Sequence, residues 1–124
     1  MIKSSYKIKK NQFPKVMKGI PVIGIYFRAI LTQSTNKHTN IGVVISKKHA
    51  KLAIIRNTIK RTTFRVSSQM FLKLPQINIV FLMTKNIPRN LETTALYKKR
   101  ISKIIEKDIT TIITTIIQKY EKFS

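Results

Sequence analysis

The chain has 124 residues and sets 25 Lys and Arg against four Asp and Glu, a formal net charge of +21, with 43% hydrophobic residues and no Cys. A single domain of this size buries about two thirds of the surface its unfolded chain exposes, and the apolar fraction is too high for a disordered polyelectrolyte. Lack of Cys excludes a disulfide framework, a thiolate nucleophile and a Cys-based metal site. The longest apolar run, Ile20 to Phe27, stops at Arg28, far short of the roughly 18 residues of a membrane span. The opening MIKSSYKIKK carries charge without an apolar stretch, so no secretory signal is expected. These features predict a soluble, cytoplasmic, basic domain.

In chain order, Asn11 to Lys18 predicts a short helix with Phe13, Val16 and Met17 on one side, Pro14 tolerated in its first turn, and a stop near Gly19 and Pro21. Val22 to Thr32, rich in β-branched and aromatic residues, predicts one bent strand or two short ones. Ile41 to Ser46 and Ile77 to Met83 are near-continuous apolar runs, the mark of strands covered on both faces. Between them, Ala50 to about Phe71 is long enough for a crossover helix, which predicts a parallel βαβ pairing. On that helix Leu52, Ile55, Ile59, Val66 and Met70 form one apolar stripe. Arg56, Asn57, Lys60 and Arg61 fall on the opposite side, with Arg65 at its edge. Leu91 to Ile105 predicts a further helix, and beyond it Ile109, Ile112, Ile113, Ile116, Ile117 and Tyr120 keep helical spacing despite interleaved Thr, a weak helix former. That end could dock on the domain, contact a partner or fray. Docking is the default, because exposed Ile pairs invite aggregation. No repeat or linker divides the chain, so one domain over 1–124 is expected, with a core of about 6–105 and a C-terminal helical extension over 106–124.

The charge is segregated. All four acids, Glu92, Glu106, Asp108 and Glu121, lie at or after position 92, and the last 33 residues hold seven of the basic ones, which leaves 18 positive charges upstream with no acid among them. Such a body repels itself unless a polyanion supplies counter-charge, and nucleic acid is the commonest intracellular polyanion. A face used only for solubility mixes signs and needs a net charge of a few units. Arg56 and Lys60, four apart, are like-charged neighbours that cost a few tenths of a kcal/mol in the free protein; bound phosphates reverse the sign.

Protein-based phosphodiester hydrolysis needs carboxylates for metal ions or a paired acid and base. The acid-free first 91 residues supply no carboxylate, and the two His, His38 and His49, flank the Ile41 to Ser46 strand, whose six residues span roughly 20 Å. They cannot meet over one phosphate. No phosphate-cradling Gly loop, Ser-His-Asp set or metal-ligand spacing is present. No catalytic and no metal-binding residue is therefore expected, and any reaction belongs to a partner.

The stretch IGVVISKKHAKLAIIRNTIKRTTFR closely resembles the protein component of bacterial ribonuclease P: a strand ending in Ser46, Lys47 and Lys48 leads into a helix bearing Arg56, Asn57, Lys60 and Arg61. The resemblance reaches outward to Phe13, Val16 and Phe27, and to Leu74 and Pro75 followed by INIVFLMTK, covering about residues 6–105. It implies an α/β (α+β) sandwich whose four-stranded sheet has a left-handed βαβ crossover, ribosomal protein S5 domain 2-like. It also implies a catalytic RNA partner that, with Mg²⁺ bound mainly by that RNA, removes 5′ leaders from precursor tRNA, and neither a membrane nor a small-molecule substrate. By position, Arg56, Asn57, Lys60, Arg61 and Arg65, with Lys47 and Lys48 close by, would hold the catalytic RNA, while Phe13, Met17, Phe27 and Ile30 would line a cleft for the leader. Thr58 and Phe64 stand where the family commonly has Arg, and Met17 and Ile30 where it usually has aromatics, which weakens base stacking. Two other classes share the charge: a ribosomal or other structural RNA-binding protein without a role in cleavage, and a membrane-active basic protein anchored by the Ile-rich C-terminal helix.

Overall fold

The structure, a computed structural model, describes residues 19–33, 39–70 and 77–121. The first helix predicted over 11–18 lies outside them. Strands β1 (Ile20–Ile23), β2 (Phe27–Gln33), β3 (Asn40–Val44) and β4 (Ile77–Met83) form one sheet in the order β1-β2-β4-β3, with helix α1 (Ala53–Gln69) between β3 and β4 and helix α2 (Thr94–Glu121) at the end. β1 and β2 are antiparallel, β2 and β4 antiparallel, and β3 and β4 parallel, so the predicted βαβ unit is present. The result is a mixed α/β fold with a four-stranded sheet.

The Val22 to Thr32 segment resolves as two short strands because the chain turns tightly at Gly24. The Gly24 N–H donates to the Phe27 carbonyl at 2.8 Å, and a Cβ on Gly24 would stand 2.7 Å from Ile112 Cδ1 and 2.8 Å from Asp108 Oδ1. Pro21 sits on the edge strand, where its missing N–H costs least. The apolar run INIVFLM becomes the interior strand β4, buried along almost its whole length.

Strand alternation divides the sheet. Phe27, Ala29 and Leu31 of β2, Ile77, Ile79, Phe81 and Met83 of β4, and Ile41 of β3 join the core with Ile55, Ile59 and Val66 of α1 and the isoleucines of α2. Ile30 pairs with Val80 on the opposite face, beside the Asn40 Nδ2 to Asn78 Oδ1 hydrogen bond of 2.8 Å.

The two helices also pack on each other, through a surface that sequence patterning missed. Thr58, Thr62, Thr63 and Ser67 of α1 are buried alongside the apolar residues. The hydroxyls of Thr58, Thr62 and Thr63 each donate to the carbonyl four residues earlier at 2.9 Å, which satisfies them internally and presents a methyl surface. The predicted stripe is corrected at its ends: Leu52 precedes the helix and is 49% exposed, and Met70 follows it, half-buried at the core margin.

Helix α2 runs unbroken through the boundary placed at 105–106. Ile101, Ile105, Ile109, Ile112, Ile113 and Ile116 are all essentially inaccessible, and each such burial contributes about 1.5–3 kcal/mol. Interleaved Thr110, Thr111, Thr114 and Thr115 oppose helix formation by at most about 0.7 kcal/mol each, so packing decides the outcome.

Candidate nucleic-acid interface

The site begins at the link from β3 to α1. Ser46 accepts the His49 and Ala50 N–H groups at 3.0 and 3.2 Å, making a turn that leaves Lys47 and Lys48 exposed. His49 Nδ1 stands 2.6 Å from Asn86 Oδ1 and ties this turn to the segment after β4. Helix α1 has no side-chain cap at its N-terminus and no acid in its first turn. Arg56 acts there instead: its Nη1 donates to the Ala50 and Lys51 carbonyls, both at 2.8 Å, so a half-buried guanidinium pins the link to the helix. Asn57, Lys60, Arg61 and Arg65 are exposed along the same helix. The structure thus keeps the predicted basic face together and gives Arg56 the added task of holding the link to the helix.

That face is one wall of a groove of about 1060 Å³. Lys60, Arg61 and Arg65 of α1 stand on one side and Lys98, Lys99 and Lys103 of α2 on the other, over a floor that includes Thr58, Thr62, Ala95 and Ser102. Thr62 Oγ1 and Ser102 Oγ lie 3.4 Å apart across the floor. The three lysines of α2 were not among the residues singled out from sequence, although ALYKKRISK carries the signal: positions 95, 98, 99, 102 and 103 recur at three and four and share one helix face.

Three of the four acids are engaged in contacts within the fold. Asp108, 4% exposed, accepts the backbone N–H groups of Ile25 (2.8 Å), Tyr26 and Phe27 (3.0 Å each) and so clamps the β1–β2 turn to α2. Glu92 pairs with Arg100 at 2.6 Å. Hydrogen bonding from Arg100, the largest influence, holds the Glu92 carboxyl below its usual range, and the same bond raises Arg100. Arg100 and Arg89 flank the Tyr97 ring at 5.4 and 5.6 Å, and the Tyr97 hydroxyl donates to the Ile87 carbonyl at 2.6 Å. Burial pushes the Tyr97 phenol up, and the two arginines oppose it. Glu106 meets Arg65 at 3.4 Å, an exposed pair at the end of the groove of a kind worth about 0–1 kcal/mol. Among the described residues no three His, Cys, Asp or Glu side chains converge on a possible metal position. The described residues offer no ligand set for a protein-bound Mg²⁺.

Of the four residues expected to line a leader cleft, Phe27 and Ile30 are among the described residues. Phe13 and Met17 lie outside them. Phe27 is fully buried in the core, whereas Ile30, three residues along the same strand, faces the opposite side of the sheet. His38 also lies outside the described residues. Among the described residues no helix is long and apolar enough to cross a membrane.

A family model for ribonuclease P matches residues 2–107. The chain belongs to the ribonuclease P protein family. It is 34% identical over 82 residues to the ribonuclease P protein component of Idiomarina loihiensis, an overlap of 62% of this chain and 63% of that protein. It is 37% identical over 79 residues to the counterpart from a Pseudanabaena species, covering 61% and 68%. This chain therefore matches less than two thirds of the Idiomarina protein's length. The fold is similar to the ribonuclease P protein of Staphylococcus aureus (TM-score 0.71, 21% identity, 89% of this chain and 94% of that one). It is also similar to that of Thermotoga maritima (TM-score 0.68, 15% identity, 89% and 96%). The ribonuclease P family match ends at 107, one residue before Asp108, whereas α2 continues to Glu121 with its buried side chains in the same core.

Proposed function

We propose that this chain is the accessory protein subunit of ribonuclease P, acting in the cytoplasm. It binds the catalytic RNA through Lys47, Lys48 and the α1 residues Arg56, Asn57, Lys60, Arg61 and Arg65, and it assists endonucleolytic removal of the 5′ leader from precursor tRNA. Catalysis and most of the Mg²⁺ are assigned to the RNA. The observation that carries this reading is a contiguous cationic helix face, with no acid within it, in a member of this family.

The mechanism follows from charge. Bringing a precursor against the catalytic RNA juxtaposes two polyanions, and a cationic wedge between them lowers the repulsion. Neutralising about 6–10 phosphates makes affinity fall by roughly 10³ to 10⁵ between 50 and 200 mM salt. Leader contact is assigned to Phe13, Met17 and Ile30, with Phe27 supporting the sheet from its other face.

The test is reconstitution with the catalytic RNA at limiting Mg²⁺, where the RNA has least other screening and the protein's rate benefit should be greatest. Arg56→Ala with Lys60→Ala should weaken catalytic-RNA binding broadly. Phe13→Ala should chiefly affect substrates that carry a leader. No gain in cleavage on adding protein, or cleavage of a precursor by the RNA-free chain, would overturn the proposal.

A further inference from the structure

We propose that the groove between α1 and α2 is a two-walled site for an RNA phosphodiester backbone, with Lys98, Lys99 and Lys103 of α2 gripping the strand that Lys60 and Arg61 hold from α1. This rests on the reading above that α1 meets RNA, and it adds a second wall that the strand–link–helix motif does not contain.

Three observations carry it. First, the lining is of one sign: Lys60, Arg61, Arg65, Lys98, Lys99 and Lys103 surround the groove, and no Asp or Glu lines it. Among the described residues the ion pairs are Arg65–Glu106 and Arg100–Glu92, so five of these six cations have no carboxylate partner there. Second, the arrangement costs energy in the free protein. Lys99 and Lys103 are like-charged neighbours at four residues, and the two walls repel each other across the groove. A packing interface selected for stability alone would place acids opposite the α1 cations, as Glu106 stands opposite Arg65 at one end. Third, the dimensions suit a strand. Asn57 to Arg65 and Ala95 to Lys103 each span eight helical steps, about 12 Å at 1.5 Å per residue, which matches about three successive phosphates. The floor of small side chains and hydroxyls lets a backbone enter, and half-buried Phe64 adds an apolar surface within the lining.

The phosphate chemistry is common to the catalytic RNA and the precursor tRNA, and the experiment separates the two sources. Binding of the full chain to each RNA is measured by fluorescence anisotropy across a KCl series. The variant Lys98→Gln, Lys99→Gln, Lys103→Gln is expected to flatten the log K against log salt slope by about 2–3 and to weaken binding about 100-fold near 0.15 M on one of the two RNAs. The corresponding Arg triple should retain wild-type binding, and Lys107→Gln with Lys119→Gln, two exposed lysines of α2 outside the groove lining, should change the slope by less than about 1. The Gln triple should melt no lower than wild type, since it removes like charges. Photo-crosslinkers at Phe64 and Ala95 should reach nucleotides within about three of each other on one strand, and the RNA they label identifies the source. If the Gln triple binds both RNAs with the wild-type slope while Lys60→Gln with Arg61→Gln does not, the second wall is wrong and the parent reading stands. If both variants bind both RNAs like wild type, both are wrong.

Discussion

Replacing Asp108 by Ala removes the carboxylate that fastens the first hairpin to the last helix. Its oxygens accept three backbone N–H groups, and the residue is 4% exposed. The Phe27 N–H is buried, and leaving it without an acceptor costs about 1–3 kcal/mol. Those of Ile25 and Tyr26 are partly buried, so water can replace the carboxylate and the net loss is about 0.5–1.5 kcal/mol each. The total is about 4 kcal/mol, a large part of the roughly 5–15 kcal/mol by which a domain is stable. The melting temperature should fall by about 10–20 °C. Asp108→Asn should cost about half as much, because one oxygen still accepts while the amide NH₂ confronts an N–H donor. Urea unfolding followed by circular dichroism at neutral pH gives the free energies, and hydrogen exchange at residues 25–27 reports the clamp directly. A loss below about 1 kcal/mol for Asp108→Ala, with those amides still protected, would refute the reasoning.

Gly24→Ala should destabilise by about 1–3 kcal/mol, since its Cβ meets Ile112 and the fixed Asp108 oxygen. Gly19→Ala should cost more, because its Cβ would fall 2.0 Å from the Leu31 carbonyl oxygen and backbone must move; urea midpoints rank the two. Arg56→Ala should lower stability by about 1–2 kcal/mol by freeing the Ala50 and Lys51 carbonyls, whereas Lys60→Ala should not, so melting curves separate structural from RNA-binding loss. The Glu92 carboxyl titrates below its ordinary 4.5 in the folded chain. The stability it contributes is therefore present above that pH and lost as pH falls through the folded value. Urea midpoints of Glu92→Gln should be flatter than wild type in that acid window, and the difference should shrink in high salt. The free protein should melt higher in about 0.3 M than in about 0.05 M KCl, while RNA affinity falls over the same range; a melting temperature that declines with salt would show that attraction, not repulsion, dominates its surface.

What was legible in the sequence was local. The near-continuous apolar run INIVFLM pointed to an interior strand, and the spacing of Ile55, Ile59 and Val66 to the inward face of α1, because both patterns repeat within a few residues. The turn at Gly24 that divides the Val22 to Thr32 segment into two strands is clamped by Asp108, more than 80 residues away. No local period carries that contact. Asp108 is buried within α2, which continues to Glu121. Thr58, Thr62 and Thr63 are polar by residue type, and their burial follows from hydroxyls turned onto the preceding helical turn, which a polarity pattern does not show. At the site, Asn57, Lys60 and Arg61 were legible as a stripe on one helix. Lys98, Lys99 and Lys103 were not, because their role depends on which helix lies beside them. The separation of Phe27 from Ile30 follows from the pleat, but only once β2 is known to include both without a bend.

The placement of the acids explains how a chain of net charge +21 keeps a basic surface without losing its fold. Asp108 is spent on a turn, Glu92 on Arg100 and Glu106 on Arg65, each where it joins two parts of the chain. None lies across from Lys60, Arg61, Lys98, Lys99 or Lys103, although α2 carries Glu106 only three residues beyond Lys103. The groove is about 12 Å long, comparable with the roughly 8 Å Debye length near 0.15 M salt, so its cations still interact with one another there. The apolar contacts between sheet and helices supply stability that does not depend on charge, which leaves these cations available to a polyanion. Salt then acts on the free protein and on its complex with opposite signs, because the same unpaired charges repel in one state and are neutralised by phosphates in the other.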